Sequence, residues 1–321
     1  MITREQELMS RHTTFRVGGP ARYYLIPENT GEVRAAIDFA DARQLPYMVV
    51  GKGSNLLFAD REFHGVVIEI GDHFSDMSVH MDRKTAENFG NEPVDESENE
   101  SVHSRPGTVV VVKSGLALSS MASRLAKLGL AGFEFAGGIP GTVGGAITMN
   151  AGAYGGEIRD CLREVTVMTE TGELKTLSAE ELELSYRHSI LQEKNWIVLS
   201  GTFAFTPGNR EEIQEKMREL NERRREKQPL EFASAGSTFK RPEGYFAGKL
   251  IEDAGLRGYH IGDAQVSEKH CGFVVNRGGA TASEIHSLIK HVQRVVQERF
   301  DVELETEVKL IGDFSWDLDI F

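Results

Sequence analysis

The chain has 321 residues, 36 of them Lys or Arg against 49 Asp or Glu, for a formal net charge of −13. That acidic balance argues against general nucleic-acid binding, which needs basic stripes, while 40% apolar and 26% charged residues describe an ordinary soluble chain of two or three domains. No apolar run approaches the roughly 18 residues that span a bilayer, and the N-terminal MITREQELMSRHTTF carries no secretory core. The only two cysteines, Cys161 and Cys271, are far apart, so the expectation is a reducing cytoplasm, no disulfide and no cysteine metal site.

Along the chain, Arg22–Ile26 and Tyr47–Val50 read as strands flanking a helix with Val33, Ala36, Ile37 and Ala40 at helical spacing. Gly65–Ile70 is a further strand. An acidic stretch follows, about 76–106, whose middle NEPVDESENES is expected to be a solvated surface insertion. Val109–Lys113 reads as a strand and Leu118–Leu128 as a helix ended by Gly129. Val165–Met168, Leu174–Leu177 and Ile197–Phe205 are further strands. Glu211–Lys227 is a charged helix with a narrow stripe of Ile213, Met217 and Leu220, a natural domain boundary. Thr281 to Glu284 forms a capping box opening a helix whose face is Ile285, Leu288, Ile289, Val292, Val296 and Phe300. Val302–Leu310 alternates strictly and is expected to be one strand.

Glycine clusters twice. GFEFAGGIPGTVGGAITMNAGAYGGE holds nine glycines between Gly132 and Glu157, too many for a linker that also carries Ile139, Val143, Ile147 and Met149. Backbone N–H groups in such loops form anion-binding nests. Gly51-Lys-Gly-Ser-Asn-Leu-Leu57 directly follows a strand, but Leu56 stands where a GxGxxG fingerprint needs its third glycine, and a strand rather than a helix follows. No GxxxxGK[ST] occurs. The pattern therefore suggests a dinucleotide held by turns on a scaffold that is neither Rossmann nor P-loop.

Six motifs, in order, carry a resemblance: Thr14-Phe15-Arg16-Val17-Gly18-Gly19-Pro20-Ala21, the two glycine loops, Tyr186-Arg187-His188-Ser189, Gly236-Ser237-Thr238-Phe239-Lys240 and Glu305-Thr306-Glu307-Val308. Together they resemble the UDP-N-acetylenolpyruvoylglucosamine reductase family, in its shorter, type II form. The resemblance implies an α+β fold: an FAD-binding region of the vanillyl-alcohol-oxidase type in two subdomains (1–70 and 71–206) and an α/β substrate-binding domain (207–302). Residues 303–321 are implied to pack back on the first subdomain. Non-covalent FAD is expected, with NADPH as co-substrate and a UDP-sugar as substrate. Oligomeric state, preference for NADPH over NADH and activation by monovalent cations are not legible.

The resemblance assigns the FAD to two loops that would face its pyrophosphate from two sides. One is Gly51, Gly53, Ser54, Asn55 and Leu56. The other runs through Gly137, Gly138, Ile139, Pro140, Gly141, Thr142, Gly145 and Ala146 to Asn150, Ala151 and Gly152. It also assigns three catalytic residues. Ser237, by itself a polar turn residue, would protonate substrate C2. Arg187, equally readable as a surface arginine, would face the enolpyruvyl carboxylate. Glu307, which beside Glu303 and Glu305 looks like one member of a solvated face, would polarise the intermediate. Tyr186, Lys240, Arg241, Lys249 and His270 are substrate contacts, with His270 equally readable as a structural histidine. No paired metal-ligand spacing occurs among the ten histidines. Two rivals stay open: a flavin oxidase of the same superfamily, and a nucleotide-binding module without chemistry.

Overall fold

The computed structural model describes residues 1–80 and 108–315. They form two compact units, one built from residues 1–26, 39–68 and 224 onward, the other from 27–38 and 69–223. Each has its own apolar core.

The first unit begins with a strand the sequence conceals. Ile2–Leu8 pairs antiparallel with Pro20–Ile26, yet its residues are almost all exposed. An edge strand with one solvated flank can be polar throughout, so ITREQEL shows no alternation to read. Pro20–Ile26 pairs parallel with Phe63–Glu69, and Tyr47–Val50 completes the sheet. The later part of this unit stacks helix Ala282–Phe300 on a three-stranded antiparallel sheet, His260–Ile261, Ala264–Val266 and Val274–Asn276. Ile285, Leu288, Ile289, Val292 and Val296 are fully buried there, as their spacing predicts.

The start of this long helix is doubly secured. Thr281 Oγ1 accepts from Glu284 N at 3.1 Å while Thr281 N donates to Glu284 at 3.0 Å, the reciprocal capping box. Asp60 adds its carboxylate to Ala282 N and Ser283 N, both at 2.9 Å, where a helix favours negative charge.

Val302–Leu310 corrects an expectation. Only Lys309–Ile311 is a strand, pairing parallel with Leu56–Phe58. Leu304 and Val308 are buried as the alternation requires, but Thr306 makes a single bridge to Phe239, and the carbonyl of Leu304 is taken by Gln293 Nε2 at 2.7 Å. Side-chain and turn partners replace a neighbouring strand, so the burial period survives without the ladder.

The second unit is an antiparallel sheet in the order Leu174–Ser178, Leu162–Met168, Ile197–Pro207, Thr108–Lys113 and Met77–His80, with Leu130–Ala131 pairing the end of the long central strand. Helix Leu118–Leu128 packs into its core and ends at Gly129 with φ +70°, the left-handed C-cap that the sequence signals. Met77–His80, at the start of the expected insertion, pairs with Thr108–Lys113. Residues 81–107, which hold its acidic middle, lie outside the described residues. Among the described residues no helix is long and apolar enough to cross a membrane.

Candidate active site

Two of the three expected catalytic residues meet in the first unit. Ser237 sits in a turn that Gly236 enters at φ +78°. The next residue, Thr238, is fully buried and all its polar groups are used. Its N–H donates to Gly272 O at 2.8 Å, and its hydroxyl accepts from Val274 N at 2.9 Å. Its carbonyl accepts from Glu307 N at 2.9 Å, and Lys240 N donates to Glu305 O at 2.8 Å. The serine turn and the glutamate segment are therefore one short antiparallel pairing. Burial separates Glu307 from its neighbours: Glu303 and Glu305 are exposed, whereas Glu307 is half-buried.

The loop Gly51–Asn55 joins the same assembly. Asn55 Nδ2 donates to Glu307 O at 3.0 Å, and Lys309 N donates to Asn55 O at 3.0 Å. The Thr14–Ala21 motif explains itself here as well. Thr14 N donates to Gly53 O at 3.2 Å, Phe15 and Val17 are buried in the core with Leu57, Phe239, Leu304 and Val308, and Asn276 Nδ2 binds Phe15 O at 3.0 Å. This motif and Asn276 are supports that the sequence does not assign to the site. Their partners lie well outside the local sequence, 39 positions away for Thr14 and Gly53 and 261 for Phe15 and Asn276.

The other expected substrate contacts in this unit have local partners. Lys240 pairs with Glu305, and Lys249 with Asp253 one turn along helix Ala247–Asp253. Arg241 folds over its own loop, its guanidinium 3.9 Å from the centre of the Phe246 ring, and Tyr245 and Phe246 stay exposed. The Lys309 ammonium is pushed below the usual lysine range by burial and then by the charge of Lys240, with the Glu305 carboxylate opposing.

His270 is built into the support of the serine turn. Its Nδ1 accepts from Gly272 N at 3.1 Å, the residue whose carbonyl holds Thr238, and its ring packs edge-on to Phe273 with centroids 5.0 Å apart. An accepting Nδ1 requires the neutral ring. Burial, and then the charges of Arg257 and Lys227, lower its pKa despite an opposing backbone hydrogen bond. The unfolded chain thus binds more protons than the fold just below the ordinary histidine value. The stabilisation is complete above about pH 6.5 and is lost as pH falls through the lowered folded value; His291 is lowered in the same direction. Denaturant midpoints should fall between pH 7 and pH 5, and His270→Gln should flatten that slope. An unchanged slope would show that His270 is not held neutral.

In the second unit, Arg187 lies in a tight turn closed by Ser185 N to His188 O at 3.2 Å and His188 N to Ser185 O at 3.1 Å. Its own φ is +57°, a conformation that costs a non-glycine residue of order 1–3 kcal/mol and clusters at functional sites. The second glycine loop over-determines it. Arg187 Nη2 donates to Gly152 O at 3.1 Å, Gln192 Nε2 holds Arg187 O at 2.9 Å, and the fully buried Asn150 donates to Ser185 O at 2.9 Å. Tyr186 is exposed, its ring 5.2 Å from the Arg187 guanidinium. Asn150 and Gly152 thus support the arginine turn, a role that nothing in the local sequence signals. Ahead of them, Thr142 caps helix Val143–Thr148. Gly144 is small because an added Cβ would lie 2.9 Å from Ser114 Cβ, whereas at Gly145 it would meet only Thr142 Oγ1 at 3.7 Å. The run therefore mixes packing glycines with at least one whose face is open. Gly137, Gly138, Ile139, Pro140, Gly141 and Ala146 belong to this unit.

The residues present fit a dinucleotide cofactor. Thr14 Oγ1, beside Gly53, is a buried hydroxyl without a hydrogen-bond partner; in the other unit Gly145 leaves open the space a side chain would fill, while its N–H donates to Thr142 Oγ1 and its carbonyl accepts from Met149 N. Both cysteines are buried and free, and burial pushes both thiols up, so neither offers a thiolate. Among the described residues no cluster of His, Cys, Asp or Glu could hold a metal ion.

Comparison with known proteins decides the family. A model described as an FAD binding domain matches residues 21–178, spanning both glycine loops, and the C-terminal domain model of UDP-N-acetylenolpyruvoylglucosamine reductase matches residues 228–311. The enzyme of that name from Agathobacter rectalis is 52% identical over 97% of this chain and 94% of its own length. The chain belongs to the UDP-N-acetylenolpyruvoylglucosamine reductase family. The reductase of Lachnoclostridium phytofermentans is 50% identical over 96% of this chain and 92% of its own. The solved reductase from Thermus caldophilus, at 32% identity, superposes with a TM-score of 0.76 over 97% of this chain and 100% of that one. The fold is therefore the α+β architecture of that family, and the protein is an FAD-dependent oxidoreductase.

Proposed function

We propose that this chain reduces the enolpyruvyl group of UDP-N-acetylglucosamine enolpyruvate to give UDP-N-acetylmuramate for peptidoglycan, with NADPH as the electron donor, in the cytoplasm. The full-length likeness to reductases named for that substrate supports the reading. The observation that carries it is the pairing of the Ser237 turn with the Glu307 segment through Thr238. Segments distant in sequence, one carrying Ser237 and the other Glu307, run side by side, which supports an assignment of acid and carboxylate to one site.

Gly51–Leu56 and Gly137–Gly152 are the segments that would hold FAD, and the bound flavin would supply the hydride chemistry between NADPH and substrate C3. The protein's residues do the rest. Ser237 gives its proton to C2; serine is a weak acid, and the strongly basic carbanion-like centre left by hydride addition makes the transfer favourable. Arg187, preset in its turn, stabilises the charge that develops on the carboxylate, and Glu307 polarises the same centre. Lys240, Arg241, Lys249, Tyr186 and His270 complete the substrate set.

The test is an anaerobic stopped-flow experiment on the purified yellow protein. NADPH should bleach the flavin, and UDP-N-acetylglucosamine enolpyruvate should then restore its absorbance in a separate step, giving ping-pong kinetics. Reoxidation by O₂ but not by the enolpyruvyl sugar would identify an oxidase instead.

A further inference from the structure

We propose that Asn55 is a positioning residue for Glu307: its side-chain amide, with its main-chain carbonyl, fixes the backbone from which the glutamate projects. The inference rests on the role given to Glu307 above. By its place in the glycine loop Asn55 is expected as a cofactor contact, yet its Nδ2 donates to Glu307 O at 3.0 Å across 252 positions of sequence.

The geometry makes this more than a loop tie. Both backbone groups of Glu307 are gripped, its N–H by Thr238 O at 2.9 Å and its C=O by Asn55. Lys309 N then donates to Asn55 O at 3.0 Å, and parallel pairing begins at once, Lys309 beside Leu56 and Leu310 beside Leu57. Val308, between them, is buried. With the residue clamped at both ends and its neighbour anchored in the core, the direction of the Glu307 Cα–Cβ bond is fixed. The serine turn holds one end of this clamp and the flavin loop the other. Asparagine suits the place because a carbonyl can only accept, so its partner must be a donor of short reach. Aspartate has the same shape but would set a carboxylate oxygen against that carbonyl.

The test uses flavin-loaded enzyme with three variants, Asn55→Ala, Asn55→Asp and Glu307→Gln, and the double variant Asn55→Ala/Glu307→Gln. Flavin reduction by NADPH and reoxidation by UDP-N-acetylglucosamine enolpyruvate are timed separately. Misplacing a catalytic group by about 1 Å can cost 10²-fold, so both Asn55 variants should slow reoxidation by roughly 10–100-fold, and reduction by at least tenfold less. If Asn55 acts through Glu307, the double variant should reoxidise no more than about twofold slower than Glu307→Gln alone. Equal slowing of both half-reactions, wild-type reoxidation in Asn55→Asp, or losses that multiply in the double variant would each overturn the positioning role. Wild-type reoxidation in Glu307→Gln would instead sink the catalytic reading of Glu307, and this inference with it.

Discussion

Replacing Ser237 with alanine should leave flavin reduction by NADPH nearly intact and slow reoxidation by the enolpyruvyl sugar by two or more orders of magnitude. General acid catalysis by a positioned group contributes typically 10²–10⁴-fold, and the serine is needed only in the half-reaction that makes the new C–H bond at C2. The substitution removes one hydroxyl from a half-buried residue. It leaves untouched the hydrogen bonds that shape the turn, which belong to Thr238, Gly272 and Glu307. Reoxidation at the wild-type rate in Ser237→Ala would end the assignment. Equal loss in both half-reactions would point to a distorted flavin site. Solvent deuterium should slow the wild-type reoxidation step, and that isotope effect should change when the acid is removed.

Where the information is local, the sequence is readable. Helix Leu118–Leu128 and its Gly129 cap, the Thr281–Glu284 box and the buried face from Ile285 to Val296 follow from residues within one or two turns of each other. Where the partner is distant, it is not. Glu303, Glu305 and Glu307 are identical by alternation, and it is the partial burial of Glu307 and its backbone hydrogen bonds to Thr238 and Asn55 that set it apart. The left-handed backbone of Arg187 is set by Asn150, Gly152 and Gln192, none of which a reader of SYRHS would consult. The same holds for the glycine-rich run. Its composition suggests an anion cradle, yet Gly144 serves packing, and the end of the run, Asn150 to Gly152, supports an arginine.

Gly53→Ala should be the most damaging single-methyl change in the flavin loop. The position has φ +57°, and a Cβ built there lies 2.0 Å from His12 O and 2.9 Å from Thr13 Cα. Both are backbone atoms of the segment that leads into the Thr14–Ala21 motif, so no side chain can swing aside. The left-handed conformation costs alanine about 1–2 kcal/mol, and relief of the overlap by backbone displacement adds roughly 1–3 kcal/mol. That displacement must separate Thr14 N from Gly53 O, now 3.2 Å apart, and it moves the loop that ends at Asn55. The variant should therefore purify with little flavin and melt several degrees lower, and excess FAD should restore part of the melting temperature by mass action. Gly145→Ala is the control within the other glycine loop, because its Cβ meets nothing closer than Thr142 Oγ1 at 3.7 Å. It should keep the melting temperature of the flavin-free protein while weakening FAD binding, since its added methyl occupies open space. A Gly53→Ala protein with wild-type flavin content and stability would show that the loop does not depend on its close approach to His12 and Thr13.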